Sequence, residues 1–198
     1  YPYQFGDTTE LGWWGSVILS KYPAASEQEF VVTADSIPYF QRVTLDVDGE
    51  RITVYNVHVP MPTGDEPHFA FDTQNGFLNM LLKYDPEPRD VGIRTLLSAL
   101  DAEIYPFIVG GDFNMSDQAA IYDDLAARMG DSFREAGYGL GASWPLAEIA
   151  GLPSFVPPLV RIDYVWHSRD FEATSALQGP HLNSDHLPLS VTLSRAAR

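Results

Sequence analysis

The tetrapeptide Gly111-Asp112-Phe113-Asn114 carries two polar side chains that could act on a phosphate ester. It follows the apolar run 106–109, which predicts a buried strand, and residues two apart on a strand point to the same side. An Asp at such a position can orient or deprotonate a water, and an Asn beside it can hydrogen-bond an oxyanion. The two glycines before Asp112 allow another group or a substrate to approach the backbone closely. This pairing indicates hydrolysis of a phosphate ester.

Three further polar clusters lie beside apolar runs: Asn56-Val57-His58, Arg161-Ile162-Asp163-Tyr164 and Ser184-Asp185-His186. Each alone has a structural explanation, since a lone His58 is more often a hydrogen-bonded core histidine and Asp163 could simply pair with Arg161. Four clusters together favour a site, because sandwich folds build their sites from strand ends and loops. An Asp163 beside His186 would hold the imidazole in one tautomer or stabilise the imidazolium.

The sequence offers no good covalent nucleophile. It has no Cys and no Gly-x-Ser-x-Gly elbow, and Ser184 is adjacent in sequence to its would-be partners. We therefore expect direct attack by water rather than an acyl or phosphoryl enzyme.

Composition limits the classes of partner. The chain has 27 acidic and 12 basic residues and a net charge of −15, with no strong basic patch for nucleic acid. This argues against a protein that wraps duplex DNA, but not against an enzyme whose divalent cation supplies positive charge. With 198 residues and an apolar fraction of 45%, we expect a single domain over residues 1–198. Because the chain begins at Tyr1, we expect a longer parent protein, whose location the sequence does not indicate.

Apolar periodicity and turn residues predict a mixed α/β sandwich in which strands outnumber helices. The predicted strands are 16–20, 40–47, 51–59, the run into Gly110, 161–167 and 188–193, with a hairpin turn at Asp48-Gly49. The predicted helices are 91–103 and 116–129, the second with Ser116 as its N-cap.

The stretch 61–88 allows two interpretations. It carries many aromatic and aliphatic residues among prolines and acids. The first interpretation is a helix over Asn75 to Lys83 that packs on the sheet. The second is an aromatic lip over the site or a lipid-facing surface from Phe69 to Tyr84, which would bring the protein close to a membrane.

In their order and spacing, the four polar clusters resemble successive motifs of the endonuclease/exonuclease/phosphatase superfamily, which has the deoxyribonuclease-I-like fold. The segments 1–3 and 17–23 also resemble the stretch before the histidine motif of that family. The resemblance implies an α/β (α+β) fold, a four-layer α/β/β/α sandwich of two mainly antiparallel sheets. It also implies hydrolysis of phosphodiesters or phosphomonoesters with Mg²⁺ or Mn²⁺.

The resemblance implies catalytic roles for five residues. Asp112 would orient or deprotonate the attacking water, and Asn114 would bind a phosphoryl oxygen. His186, oriented by Asp163, would stabilise charge on the phosphoryl group, while His58 would contact the phosphate or the leaving oxygen. Such a displacement depends mostly on positioning and electrostatics.

Metal and substrate residues also follow from the resemblance. The implied metal ligands are Asp185, Asp112 and Asn114. The expected substrate-binding residues are Asn56, Arg161 and Trp144. The substrate would be a nucleic acid, a lipid headgroup or a small phosphoester.

One departure from the family pattern concerns its opening elements. The pattern begins with a strand bearing an Asn and a strand ending in a metal-binding Glu, and this chain starts too late to hold either. We therefore expect an N-terminally truncated sandwich with a weaker cation site. The alternative function is a non-catalytic binding module that retains the cleft. A missing strand would also leave a sheet edge open to self-association.

Overall fold

The computed structural model describes residues 1–6, 16–26, 29–32, 38–62, 84–145 and 155–197, which form an α+β fold. In chain order the described elements are β1 (Tyr3–Phe5), β2 (Ile18–Ser20), β3 (Glu29–Val32), β4 (Pro38–Val47), β5 (Glu50–His58), α1 (Glu87–Asp101), β6 (Phe107–Asp112), α2 (Ala120–Ala126), β7 (Gly130–Asp131), α3 (Ser132–Ala136), β8 (Asp163–His167), β9 (Phe171–Gln178) and β10 (Leu189–Arg195).

Six of the described strands form one mixed sheet in the order β3-β4-β5-β6-β8-β7. Strands β5 and β6 run parallel, and the other neighbouring strands are antiparallel. Helix α1 lies in the connection from β5 to β6, as a parallel pair requires a crossover. The remaining described strands form two antiparallel pairs, β1 with β2 and β9 with β10. The α+β class predicted from sequence is therefore confirmed.

The predicted hairpin is present where the turn residues placed it. Strands β4 and β5 pair from Phe40 opposite Val57 to Val47 opposite Glu50. Both turn residues have positive φ, 55° at Asp48 and 89° at Gly49, which is the conformation of a type I′ turn. This turn fixes the register that carries His58 to the far end of β5.

The hydrophobic core lies between one face of the six-stranded sheet and the helices α1 and α2. The buried positions of α1 include Ile93, Leu96, Leu97 and Leu100, which share one face because their spacing follows the helical period. They belong to the same cluster as buried residues of the central strands, among them Tyr55, Val57, Val109 and Trp166. The opposite face of the sheet carries buried apolar side chains, such as Val43 and Leu45, as well as the polar side chains at the ends of β5 and β6.

The structure corrects two of the sequence-based elements and adds others that were not predicted, β9 among them. Helix α2 is shorter than the predicted 116–129, and its N-cap is Ala119 rather than Ser116. The predicted buried strand 16–20 is reduced to Ile18–Ser20, in which Leu19 is exposed. Strand β9 was not predicted, because its sequence is rich in small and polar residues that are weak strand formers. It pairs with β10 along its length.

Most of the stretch 61–88 lies outside the described residues, including the predicted helix 75–83 and the aromatic positions 69–83. Tyr84 is described and half exposed, and its hydroxyl accepts a hydrogen bond from Arg89. Within the described part of the chain, no helix has the length and apolarity needed to cross a membrane.

Candidate active site

The register of the central strands places three of the expected catalytic residues in one row. His58 at the end of β5 lies opposite Asp112 of β6, and Asp112 lies opposite Asp163 of β8. Neighbouring residues in a sheet point to the same face, so all three side chains leave the face opposite the core. Residues far apart in sequence are thus brought together by strand pairing alone.

Gly111 allows the strands to approach closely enough for this row. Its φ is 142°, a conformation that residues with a side chain rarely adopt, and a Cβ there would collide with the carbonyl oxygen of Val57. The close neighbour of this glycine is the backbone of β5.

His186 reaches the row from the loop before β10. Its Nδ1 lies 2.8 Å from Oδ2 of Asp163, which accepts the hydrogen bond. Its Nε2 lies 4.0 Å from Oδ2 of Asp112 and 3.8 Å from Oδ2 of Asp185. Nε2 of His58 lies 3.9 Å from the same Asp112 oxygen. The structure therefore brings together two imidazoles and three carboxylates.

Desolvation and neighbouring charges set the protonation of these groups. Desolvation, then the charge of Asp163, raises the pKa of Asp112 to about 7. Burial would lower the pKa of His186, but the hydrogen bond to Asp163 and the surrounding carboxylates outweigh it and raise that pKa above the ordinary histidine value. Burial and the neighbouring His186 lower the pKa of His58. The site thus combines a carboxyl whose pKa is raised to about 7 with two histidines whose pKa values are shifted in opposite directions.

Asn114 lies just beyond the end of β6 in a turn. Its φ is 46°, and its backbone N–H donates to Oδ1 of Asp112 at 2.8 Å. Its carboxamide nitrogen donates to the carbonyl oxygen of Val59 at 2.9 Å. The side chains of Asp112 and Asn114 are therefore fixed relative to each other by the turn, whereas the sequence predicted that strand pleating would align them.

Ser143 supports the site and was not predicted from sequence. This buried serine has its Oγ 3.3 Å from the backbone nitrogen of Ile162 and 3.4 Å from that of Asp163. Its carbonyl accepts a hydrogen bond from the N–H of Leu187 at 3.0 Å. Ser143 thereby joins the start of β8 to the loop that carries His186. A serine in a loop gives no sequence signal for such a role.

Of the expected substrate-binding residues, two lie near the site. Asn56 precedes His58 by two positions on the same face of β5, and its carboxamide nitrogen lies 3.5 Å from the carbonyl oxygen of Val17. The Trp144 ring is largely buried, and its centroid lies 6.4 Å from that of His186. A cavity of about 300 Å³ opens beside Asp163 and His186.

The structure does not bring Arg161 into this cluster. Its guanidinium binds both carboxylate oxygens of Asp131, at 2.9 and 2.7 Å, and lies over the ring of Tyr164 at 4.5 Å. The side chain is buried at 4% exposure. The expectation that Arg161 contacts substrate is therefore corrected: the residue holds the start of β8 against the segment that begins α3. Nor does Arg161 pair with Asp163, whose described partner is His186.

The residues expected to hold a divalent cation are only partly assembled. Asp112 and Asp185 both approach His186, and Asn114 shares the turn of Asp112. Desolvation and then the charge of Asp163 raise the pKa of Asp112, and a nearby cation would favour the charged form of this carboxyl. Among the described residues, however, no three His, Asp or Glu side chains are placed to share one ion. These residues fit part of a cation site and not a complete one.

The chain belongs to the endonuclease/exonuclease/phosphatase family, whose sequence profile matches residues 1–186. The fold is the deoxyribonuclease-I-like fold of this family, which includes phosphoester hydrolases. Comparison with curated protein sequences gave no match.

Solved structures show the same fold at low sequence identity. A family protein from Leptotrichia buccalis C-1013-b is 16% identical with a TM-score of 0.65, over 97% of this chain and 71% of that one. A family protein from Beutenbergia cavernae DSM 12333 is 20% identical with a TM-score of 0.64, over 91% of this chain and 47% of that one. The mannosyl-6-phosphatase Bt3783 of Bacteroides thetaiotaomicron VPI-5482 is 15% identical with a TM-score of 0.58, over 87% and 67%.

Proposed function

We propose that this chain is a metal-dependent phosphoesterase that hydrolyses a phosphodiester or phosphomonoester by direct attack of water. The observation that carries the proposal is the row of His58, Asp112 and Asp163 across three strands, completed by His186 on Asp163. Membership of a family that includes nucleases and phosphatases supports the same reaction class.

Asp112 is the proposed group that orients and deprotonates the attacking water. A carboxyl whose pKa lies near neutrality can both take up and release a proton at working pH. The water oxygen attacks phosphorus, its proton passes to the Asp112 carboxylate, and the ester P–O bond breaks. The leaving oxygen takes its proton from solvent water, and Asp112 returns its proton to solvent.

The two histidines have different proposed tasks. His186, held by Asp163 with a raised pKa, supplies positive charge for the phosphoryl oxygens as negative charge shifts towards the leaving group. His58, whose pKa is lowered, contacts the phosphate or the leaving oxygen as a neutral imidazole. The Asn114 carboxamide is fixed by Val59 and is the proposed donor to a phosphoryl oxygen.

A divalent cation, Mg²⁺ or Mn²⁺, is part of the proposal. The family generally uses divalent metals, and Asp112, Asp185 and Asn114 are the side chains that would contribute to holding one. When bound, the cation would lower the cost of gathering negative charge at the phosphate. The described residues form only part of such a site.

The substrate class is narrowed by charge. A net charge of −15 disfavours binding of long duplex nucleic acid. The mannosyl-6-phosphatase among the structural neighbours acts, by its name, on a small sugar phosphate. We propose a small phosphoester or a lipid headgroup ahead of duplex DNA.

Hydrolysis of an aryl phosphodiester and an aryl phosphomonoester, each with Mn²⁺, Mg²⁺ or EDTA, tests the proposal. We expect metal-dependent turnover that is lost in Asp112→Asn. The thermal midpoint of this variant should be unchanged or higher, because desolvation disfavours the charged form of Asp112. Asp124→Asn, an exposed acid on α2, is the matched control and should retain full turnover.

Turnover that survives EDTA, or that persists in Asp112→Asn, would contradict the mechanism. A large fall in the thermal midpoint of Asp112→Asn would show that the carboxylate is structural.

The alternative is a binding module that keeps the cleft without catalysis. It is favoured by one observation, that no complete three-residue metal group exists within the described ranges. Complete absence of turnover with either metal, together with saturable binding of phosphate esters, would support it.

A further inference from the structure

Arg89 is a buried cation in the first turn of α1 that the mechanism above does not use. Its side chain is 3% exposed. Its Nε and Nη2 lie 2.8 and 2.7 Å from Oδ1 of Asp90. Its Nη1 donates to the carbonyl oxygen of Asn114 at 3.3 Å. Arg89 lies outside the helix predicted from sequence, 91–103, and was not predicted to approach the site.

The contact matters because it completes the set of hydrogen bonds that fix Asn114 in its turn. Its φ of 46° lies in the left-handed region, which Asn adopts more readily than most residues with a side chain. Asp112 holds the backbone N–H, and Val59 holds the carboxamide. Arg89 holds the third polar group of the residue, its carbonyl. Without Arg89, the carbonyl oxygen of Asn114 would lose the hydrogen bond that it accepts from α1.

We propose that Arg89 is a positioning residue for Asn114. The inference rests on the proposed function, in which the Asn114 carboxamide donates to a phosphoryl oxygen. A guanidinium suits this task because its fork presents separate N–H groups to Asp90 on one side and to the Asn114 carbonyl on the other. The ammonium of a lysine is a single point and cannot hold both partners in that geometry.

Kinetics of Arg89→Lys and Arg89→Met, alone and combined with Asn114→Ala, test this role. With an aryl phosphodiester we expect kcat to fall about 10- to 100-fold in each Arg89 variant, with KM changed less than about threefold. In the Asn114→Ala background the Arg89 change should have no further effect on kcat, because Arg89 acts through Asn114. Arg94→Lys is the matched control: Arg94 lies on the same helix, is exposed and pairs with Glu87.

Amide hydrogen exchange gives a readout that does not depend on activity. The N–H of Asn114 is bonded to Asp112, and we expect it to exchange at least about tenfold faster in both Arg89 variants. It should be unchanged in Arg94→Lys.

Unchanged kcat in the Arg89 variants, or losses that add to those of Asn114→Ala, would overturn the inference. So would unfolding of both Arg89 variants while Asn114→Ala stays folded, since Arg89 would then serve stability. An inactive wild-type protein would refute the proposed function alone. In that case retained protection of the Asn114 N–H in both Arg89 variants overturns the inference, and lost protection supports it.

Discussion

Two histidines at equal distance from one carboxylate differ in their tendency to carry charge. His58 and His186 lie 3.9 and 4.0 Å from the same oxygen of Asp112. The difference comes from Asp163, which hydrogen-bonds His186 and favours its imidazolium form, whereas burial dominates at His58. The pKa values of the two imidazoles are therefore shifted in opposite directions, upwards at His186 and downwards at His58, which suits them to separate tasks.

The pKa of Glu103, a carboxylate outside the site, is also set by burial on one side and hydrogen bonds on the other. Its side chain is almost fully buried and accepts hydrogen bonds from Tyr55 at 2.8 Å and from Arg42 at 3.0 and 2.8 Å. Burial alone would raise the pKa of Glu103, but these hydrogen bonds outweigh it and hold the pKa below its ordinary value. The pairing ties the end of α1 to β4 and β5.

We predict that Glu103→Gln destabilises the fold in a pH-dependent way. A carboxyl with a lowered folded pKa stabilises the folded state above its ordinary pKa of 4.5, and this contribution is lost as the pH falls. The variant should lower the free energy of unfolding by about 1–3 kcal/mol at neutral pH, and the difference should shrink below about pH 4.5. Urea denaturation across this range measures it.

Glu172→Gln, an exposed glutamate on β9, is the control and should change the free energy of unfolding little at any pH. A Glu103→Gln effect that stays constant down to about pH 3 would mean that lost packing, not lost charge, explains the destabilisation.

Among the elements, the β5–β6 pair determines whether the site forms at all, and we predict that Gly111→Ala disrupts it. The new Cβ would collide with the Val57 carbonyl, and the φ of 142° would be strained. The loss should be about 3 kcal/mol or more in the free energy of unfolding, with loss of turnover.

Gly110→Ala is the adjacent control. A Cβ there would meet its nearest atoms at 3.8 and 3.9 Å, ordinary packing distances, so the change should stay within about 1 kcal/mol. Urea and thermal unfolding compare the two variants. Equal stability of both would show that β5 and β6 can shift apart without cost, and the strand register would then not explain the site.

The elements that sequence predicted well are those specified by local signals. The β4–β5 hairpin follows from its turn residues, and α1 follows from the spacing of its buried leucines. Pairings between residues far apart in the chain were harder to predict from sequence. Arg161 has Asp163 two residues away, yet its partner is Asp131, because the start of α3 packs against β8. Strand β9 lacks a strong local pattern and exists by pairing with β10.

The resemblance of four ordered motifs supplied what local signals could not, namely that these side chains meet. Physical reasoning from sequence gave the residue types and strand ends, and it also gave the Asp163–His186 contact. It did not give supporting residues such as Ser143 and Arg89, because their contacts join segments with no shared motif.

At the scale of the whole molecule, the excess of acidic residues conflicts with the anionic nature of every phosphoester. A net charge of −15 repels a polyanionic substrate over distances of about a Debye length, roughly 10 Å at moderate salt. On the proposed function, His186 and a bound cation would act locally on a single phosphate. The charge of the whole molecule would then disfavour substrates with many phosphates, while the site would accommodate one.

Repulsion by the net negative charge predicts an unusual salt dependence of KM for a polyanionic substrate. If the chain hydrolyses a single-stranded oligonucleotide at all, KM should fall about threefold or more as NaCl rises from about 20 to about 200 mM, because salt screens the repulsion. A basic nuclease shows the reverse, since salt competes with its phosphate contacts. A monoanionic aryl phosphodiester, measured at constant free Mn²⁺, is the control, and its KM should change much less because it carries one charge.

A KM for the oligonucleotide that rises with salt would contradict the prediction, since it would require a basic track along which the nucleic acid binds. Whether KM for the oligonucleotide falls or rises with NaCl therefore shows whether net charge or local charge governs substrate choice.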